Sequence, residues 1–478
     1  MRIHITYPLT LLIFACIAVG LLCSCAPTSK NTSDQLNFVF ILADDLGWAD
    51  IGCYGSDLHE TPRLDTFAEQ GMRFTNAYAA APVCSPTRAS ILSGKWPARL
   101  HMTIWSEGSQ NPPRQRKVIP PVTRHDLPLD EITLAEVLKD AGYQTAHIGK
   151  WHLGDSKHYP QAQGFDINIG GSLWGAPQTF WWPYKGTQVF EDYRYLPGLG
   201  IGATGEYLTD RLTDEALAQM ERMQNDPFYL NLSYHTVHTP IEGKPEIVDY
   251  YQKKLTPDMH HQNAEYAAMV QSLDENVGRV LDKIDALGIA DRTVVIFFSD
   301  NGGYINPYKG KVVTSNHPLR SGKGSLYEGG IREPLLIRWP GVTTAGSMSD
   351  ALISSVDFYP TLLELYNLPG NTDHQTDGVS LASLMKNPDT SLDRETLYWH
   401  YPHYYATTPP VSAIRQGDWK LLEYLEEGNL ELYNLREDLG ESKNLAEAKP
   451  EKAAELKRLL EEWRTDVDAQ LPKLNPTR

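Results

Sequence analysis

The run Cys84-Ser85-Pro86-Thr87-Arg88-Ala89-Ser90-Ile91-Leu92-Ser93-Gly94-Lys95 pairs a nucleophile with a charged donor set. Its proline suits the first turn of a helix and Gly94 can end it in left-handed geometry, so about two turns of helix should begin just after Cys84. There the unpaired N–H groups and the positive dipole end favour an anion, and Arg88, one turn on, adds a planar set of donors on the same side. Nucleophilic attack on an anionic group is the chemistry this allows. The plain alternative is a free buried cysteine that packs as a small apolar residue.

Further residue pairs stand where chemistry could use them. Asp44-Asp45 and Asp300-Asn301 each follow an apolar run; they offer hard oxygen ligands, which suit Ca²⁺ or Mg²⁺ rather than zinc. A single such pair reads equally well as a helix cap or a solvated turn. Lys150 and His152, two apart, face the same way in an extended segment. His235 and His238 follow another apolar run, and Lys323 lies in a glycine-flanked loop.

The elements that must position these groups are legible as runs. Leu36–Ala43, Tyr143–Ile148, Phe228–Tyr234 and Thr293–Ser299 are nearly continuous apolar stretches, the pattern of strands buried on both faces of a parallel or mixed sheet. Ligands in open α/β sheets lie beyond the carboxyl ends of such strands, so the four would deliver Asp, Asp, Lys, His, His, Asp and Asn to one edge. Thr61-Pro62 starts a helix that runs to Gly71, and Thr133 with Glu136 forms a capping box for one ending at Gly142. From Tyr266 to Leu287 apolar residues recur at helical spacing, giving a helix packed on the sheet. The expected fold is α/β: a large mixed, mostly parallel sheet between helices. Beyond about Asn371 come short strands (Arg394–His400, Ser412–Arg415, Trp419–Tyr424, Leu430–Tyr433) and a charged helix over about Pro450–Val467, read as a smaller α+β subdomain with an antiparallel sheet. Two long loops remain. Trp105–Asp130 carries Arg114, Arg116, Lys117 and Arg124 and either lines a cleft or is a solvated excursion. Gly170–Tyr184 carries Trp174, Trp181, Trp182 and Tyr184, for which packing is the default reading.

The 478-residue chain can bury a large core. Its formal charge of −17 argues against nucleic acid as a partner, so recognition of an anion must be local. Met1-Arg2 followed by the apolar stretch Leu9–Leu22 has the pattern of a signal peptide, and Leu22-Cys23-Ser24-Cys25 resembles a bacterial lipobox in which Cys25 is lipidated. The expected layout is a leader over 1–25, a flexible tether over 26–35, a catalytic domain over 36–370 and a C-terminal subdomain over 371–478. The protein would then be exported to the periplasm or anchored to the outer membrane, touching lipid only through the anchor. Past the anchor only Cys53 and Cys84 remain, so no disulfide framework is expected.

The Cys-x-Pro-Thr-Arg run, the intact Gly149-Lys150-Trp151-His152-Leu153-Gly154 and the segment Gly322-Lys323-Gly324 ahead of Glu328-Gly329-Gly330 together resemble the type I sulfatases of the alkaline-phosphatase-like superfamily. The resemblance implies that a formylglycine-generating enzyme oxidises Cys84 to formylglycine, and that Asp44, Asp45, Asp300 and Asn301 hold one divalent cation, usually calcium with magnesium possible. It further implies that Arg88, Lys150 and Lys323 bind the sulfate, that His238 is the general acid for the leaving alcohol, and that His152 is the base that breaks down the sulfated intermediate. Thr87 stands where serine is frequent, and Ser172 is a weak match to a serine that some members carry.

A lipobox beside such a site is typical of enzymes that desulfate host glycans or algal polysaccharides, so a sulfated saccharide is the expected substrate, with His101, Arg320 and His403 as sugar contacts. The rivals are a small-aryl sulfatase, a phosphodiesterase or phosphonate hydrolase on the same fold, and a glycan-binding lipoprotein without activity.

Overall fold

The computed structural model describes residues 1, 35–110, 115–368 and 374–476. The leader, the lipobox, the tether through residue 34 and Arg114 lie outside them. The strands of the main sheet are β1 (Asn37–Ala43), β2 (Met72–Phe74), β3 (Gln144–Gly149), β4 (Ile167–Ile169), β5 (Phe228–Ser233), β6 (Thr293–Ser299), β7 (Leu335–Arg338) and β8 (Ser347–Ser349). They pair in the order β8-β2-β7-β6-β1-β5-β3-β4. Only β7 is antiparallel to its neighbours.

The apolar runs become central strands because both faces of the sheet are covered. Val39, Ile41 and Ala43 of β1 enter one core with helices α1 (Pro62–Gln70), α5 (Leu208–Met223) and α6 (Ala264–Ala286). Phe38, Phe40 and Leu42 enter the opposite core with α2 (Cys84–Ser93), α4 (Leu134–Asp140) and α7 (Phe358–Leu365). The short α3 (Ser106–Gln110) lies in the loop that follows α2. Each fully buried Phe, Leu or Ile contributes roughly 1.5–3 kcal/mol relative to exposure, so this two-sided burial holds the register. That register matters for function: Ala43 is level with Ser299, Leu42 with Ser233, and Ser233 with Gly149. The four parallel strands β6, β1, β5 and β3 therefore end together.

The second sheet, β9 (Thr396–Tyr401), β10 (Val411–Gln416), β11 (Trp419–Tyr424) and β12 (Leu430–Asn434), is antiparallel and carries α8 (Pro450–Asp466). Its core includes Tyr78, Val83 and Trp96 from around α2, and the chain from Leu36 onward forms one compact unit. The expected subdomain thus shares its core with the catalytic part. Trp181 and Trp182 of the aromatic loop pack against Tyr207 and Tyr184. No helix among the described residues is long and apolar enough to cross a membrane.

Candidate active site

Helix α2 begins at Cys84 and ends at Gly94, whose φ of 69° and N–H bond to the Ser90 carbonyl make the left-handed stop. Every residue of the helix is buried, and Cys84 and Cys53 are both free thiols. The Cys84 Sγ lies 3.3 Å from His152 Nδ1. Burial pushes the thiol up, but Lys150, His152 and Lys323 outweigh it and bring it down to about 6. Cys53, by contrast, is raised by burial and by Asp65 to about 12.

The strand ends meet this helix. Lys150 Nζ reaches both oxygens of Asp44 at 2.8 and 2.7 Å. Lys323 Nζ lies 2.7 Å from Asp45 Oδ1 and 2.9 Å from Oδ2. Arg88 forks onto Asp300 Oδ2 at 2.8 and 2.7 Å, and its Nη1 donates to the Lys150 carbonyl and Ser233 Oγ. His238 Nε2 is 3.5 Å from Asp45 Oδ2, and Nδ1 donates to the Thr239 carbonyl at 2.8 Å. Burial depresses His238 against the pull of Asp45, and depresses His235, which sits beside Lys150 and Arg88 with neither ring nitrogen bonded.

Two observations show that the carboxylate cluster fits a cation. Asn301 donates through Nδ2 to Asp45 Oδ1 at 2.8 Å, while its buried Oδ1 has no partner. Asp44 is pushed up by burial, and by Asp300 and Asp45, despite Lys150 and Arg88, whereas His238, Lys323 and Lys150 hold Asp45 down, so Asp44 is the carboxylate a further cation would stabilise. The donor set, three carboxylates and an amide oxygen, is the hard type. Asp44, Asp45 and His238 also offer ligand atoms within 4.8 Å of one another.

A cavity of about 680 Å³ opens over this cluster, with Asp45, Cys84, His152, His238 and Lys323 at its floor. Its walls include Trp105, Glu107, Arg194, Tyr304 and Tyr405, and Trp105 meets Tyr405 edge-on at 5.7 Å. The three expected sugar contacts stand elsewhere. Arg320 stacks on Tyr327 and donates to Tyr433 Oη and the Glu441 carbonyl, so its donors are used within the fold. His101 donates to the Asp468 carbonyl. His403 is buried against Thr103 Oγ and lines a smaller cavity of about 270 Å³ next door, as does Arg116. Ser172 accepts the His152 N–H through its carbonyl. Glu107 and Arg194 escaped the sequence reading, since neither belongs to a run that marks it and only tertiary contact brings them to His152.

The Sulfatase family matches residues 36–368. The chain belongs to the sulfatase family. The C-terminal region of N-sulphoglucosamine sulphohydrolase matches residues 321–466 of this sulfatase. It is 33% identical to a sulfatase of Formosa agariphila, over 92% of this chain and 89% of that one. It is also 33% identical to human N-acetylgalactosamine-6-sulfatase, over 80% and 74% of the two chains. The crystal structure of Ps i-CgsB in complex with k-i-k-neocarrahexaose superposes with a TM-score of 0.76 at 29% identity, covering 91% of this chain and 94% of that one. The enzyme thus hydrolyses sulfate esters on an alkaline-phosphatase-like fold.

Proposed function

We propose that this sulfatase removes O-sulfate from carbohydrates, with Cys84 matured to formylglycine and one Ca²⁺ held by Asp44, Asp45, Asp300 and Asn301. The observation that carries the reading is the convergence of Cys84, at a helix N-terminus, with two lysines, an arginine and two histidines around an oxygen-rich cluster whose Asn301 Oδ1 is buried without a partner. A cavity of this volume suits a sugar unit with its neighbours, and Trp105 and Tyr405 offer apolar faces for a ring. The saccharide named with the Ps i-CgsB complex and the amino sugar named for the human relative support the same substrate class.

Bound at the cluster, the cation supplies charge that acidifies a nearby hydroxyl and offsets charge on the sulfuryl oxygens. This chain's residues do the rest. Residue 84, oxidised by a maturating enzyme and hydrated, turns a hydroxyl oxygen onto sulfur from the anion-favouring end of α2. Arg88, Lys150 and Lys323 are fixed by their carboxylates and need no reorganisation as charge builds on the sulfuryl group. His238 acts as the imidazolium: its Nδ1–H is committed to the Thr239 carbonyl, and its Nε2–H, which faces Asp45 in the resting site, goes to the departing ester oxygen. His152 Nδ1, which faces residue 84, takes the proton of the remaining hydroxyl so that sulfate leaves.

The test is sulfate release from a panel of defined sulfated mono- and oligosaccharides, with mass spectrometry of the peptide containing residue 84. Release by the parent, none by Cys84→Ala, and an aldehyde at residue 84 are expected. An unmodified thiol in active enzyme sinks the mechanism, and greater turnover of phosphate diesters replaces the substrate class. Export as a Cys25-anchored lipoprotein is part of the same proposal; fatty-acid labelling that survives Cys25→Ala would overturn it.

A further inference from the structure

His152 is held more closely than a solvent-facing base needs to be. Its backbone N–H donates to the Ser172 carbonyl at 3.0 Å and its carbonyl accepts from Ser85 Oγ at 2.7 Å. The ring lies over Gly175, where a Cβ would fall 2.3 Å from Cε1. One ring nitrogen, Nδ1, faces residue 84 at 3.3 Å; the other, Nε2, faces Glu107 Oε2, also at 3.3 Å. Glu107 is in turn 3.9 Å from Arg194 Nη2 through its other oxygen. Arg194 is buried, stacked on Phe190 at 3.5 Å and tied to the Ala176 carbonyl.

We infer that Glu107 is the positioning residue for His152, selecting by its carboxylate the tautomer whose Nδ1 can accept a proton from residue 84. The inference rests on the reading of residue 84 as a formylglycine hydrate. In the breakdown step, the hydroxyl proton passes to Nδ1 and the O–H electron pair becomes the second bond of the aldehyde. The carbon–oxygen bond to sulfate breaks, and sulfate leaves with the electrons of that carbon–oxygen bond. An imidazole can accept at Nδ1 only when its hydrogen sits on Nε2, and a carboxylate facing Nε2 keeps it there and balances the imidazolium that forms. Arg194 adds a second positive charge on the far oxygen of that carboxylate, after His152 itself.

Acting through the breakdown step alone gives a kinetic signature that a folding or substrate-binding role does not. With 4-nitrophenyl sulfate as the probe, Glu107→Ala should lower kcat by about 10–100-fold, the usual cost of losing such an orienting partner. KM should fall in proportion, kcat/KM should hold, and release of the phenol should become a burst of one equivalent with a sulfuryl adduct on residue 84. In a His152→Ala background the same change should add no further loss. Should the alanine variant be unstable, Glu107→Gln, which lacks the charge, carries the same comparison. A kcat within twofold of the parent, or a fall in kcat/KM with neither burst nor adduct, would overturn the inference. A parent that releases no sulfate from any ester fails the functional proposal instead.

Discussion

Arg88 shows how one residue serves two ends. It is 3% exposed and its guanidinium is shared between Asp300, a proposed cation ligand, and the carbonyl that precedes Trp151. Replacing it by methionine leaves Asp300 buried without its partner, a change that typically costs about 3–5 kcal/mol. Arg88→Met should therefore lower the urea midpoint by that equivalent as well as remove activity. A variant with the parent's midpoint would show that solvent or a cation already compensates Asp300. The same reasoning explains why Lys150 and Lys323 tolerate burial, since each ammonium faces both oxygens of one carboxylate.

At the scale of elements, the site depends on strands that stop together and turn sharply. Gly149 closes β3 with φ 97°, and a Cβ there would sit 1.9 Å from the Ser233 carbonyl of neighbouring β5. Left-handed strain and the clash add to at least about 3 kcal/mol. Gly149→Ala should part β3 from β5, displace Lys150 and His152 together, and give a lower melting temperature with activity below one per cent of the parent (about 3 kcal/mol in the barrier as well). Unchanged activity would mean that the turn can be made otherwise. Asp45 and His152 also adopt positive φ, at 62° and 60°; such backbone conformations in non-glycine residues cluster at functional sites.

Across the whole molecule, buried ion pairs bolt the parts together. Lys420 of β11, fully buried, binds Glu328 at 2.8 Å and Glu441 at 2.9 Å, and Glu328 also takes Tyr78 Oη at 2.7 Å. Because the C-terminal sheet shares this network, and a core with the segments that flank α2, unfolding in urea should be a single transition, and Lys420→Met should lower its midpoint by about 3–5 kcal/mol. Two separate transitions would show instead that the C-terminal part folds by itself. A second bolt is pH-dependent. His261 bridges Asp50 and Asp57; burial draws its ring down, but the two carboxylates outweigh that and lift it to about 9 from 6.5. A folded value above the unfolded one stabilises fully below about pH 6.5, and the contribution, at most about 3 kcal/mol, is lost as pH rises through 9. The parent should melt at a lower temperature at pH 9 than at 6.5, and His261→Gln should flatten that slope; parallel curves would remove His261 as the cause.

By itself the sequence determined the strands and the helix that carry the chemistry. Local rules act over a few residues: unbroken apolar runs of strand length must be buried on both faces, a proline starts α2 and Gly94 stops it. The polar pairs that end those runs then have one place to go. Long-range contact decided what such rules do not reach. Arg320 and His101 stood beside motif segments, yet their donors close onto the C-terminal part and leave the cavity. Glu107 and Arg194 come from two unrelated loops and meet at His152 because the packing around α2 and Gly175 brings them there. Cys84 and its strand-end partners were therefore legible in the sequence, while the walls of the cavity were set by folding, since contact between distant loops has no period or spacing in the chain.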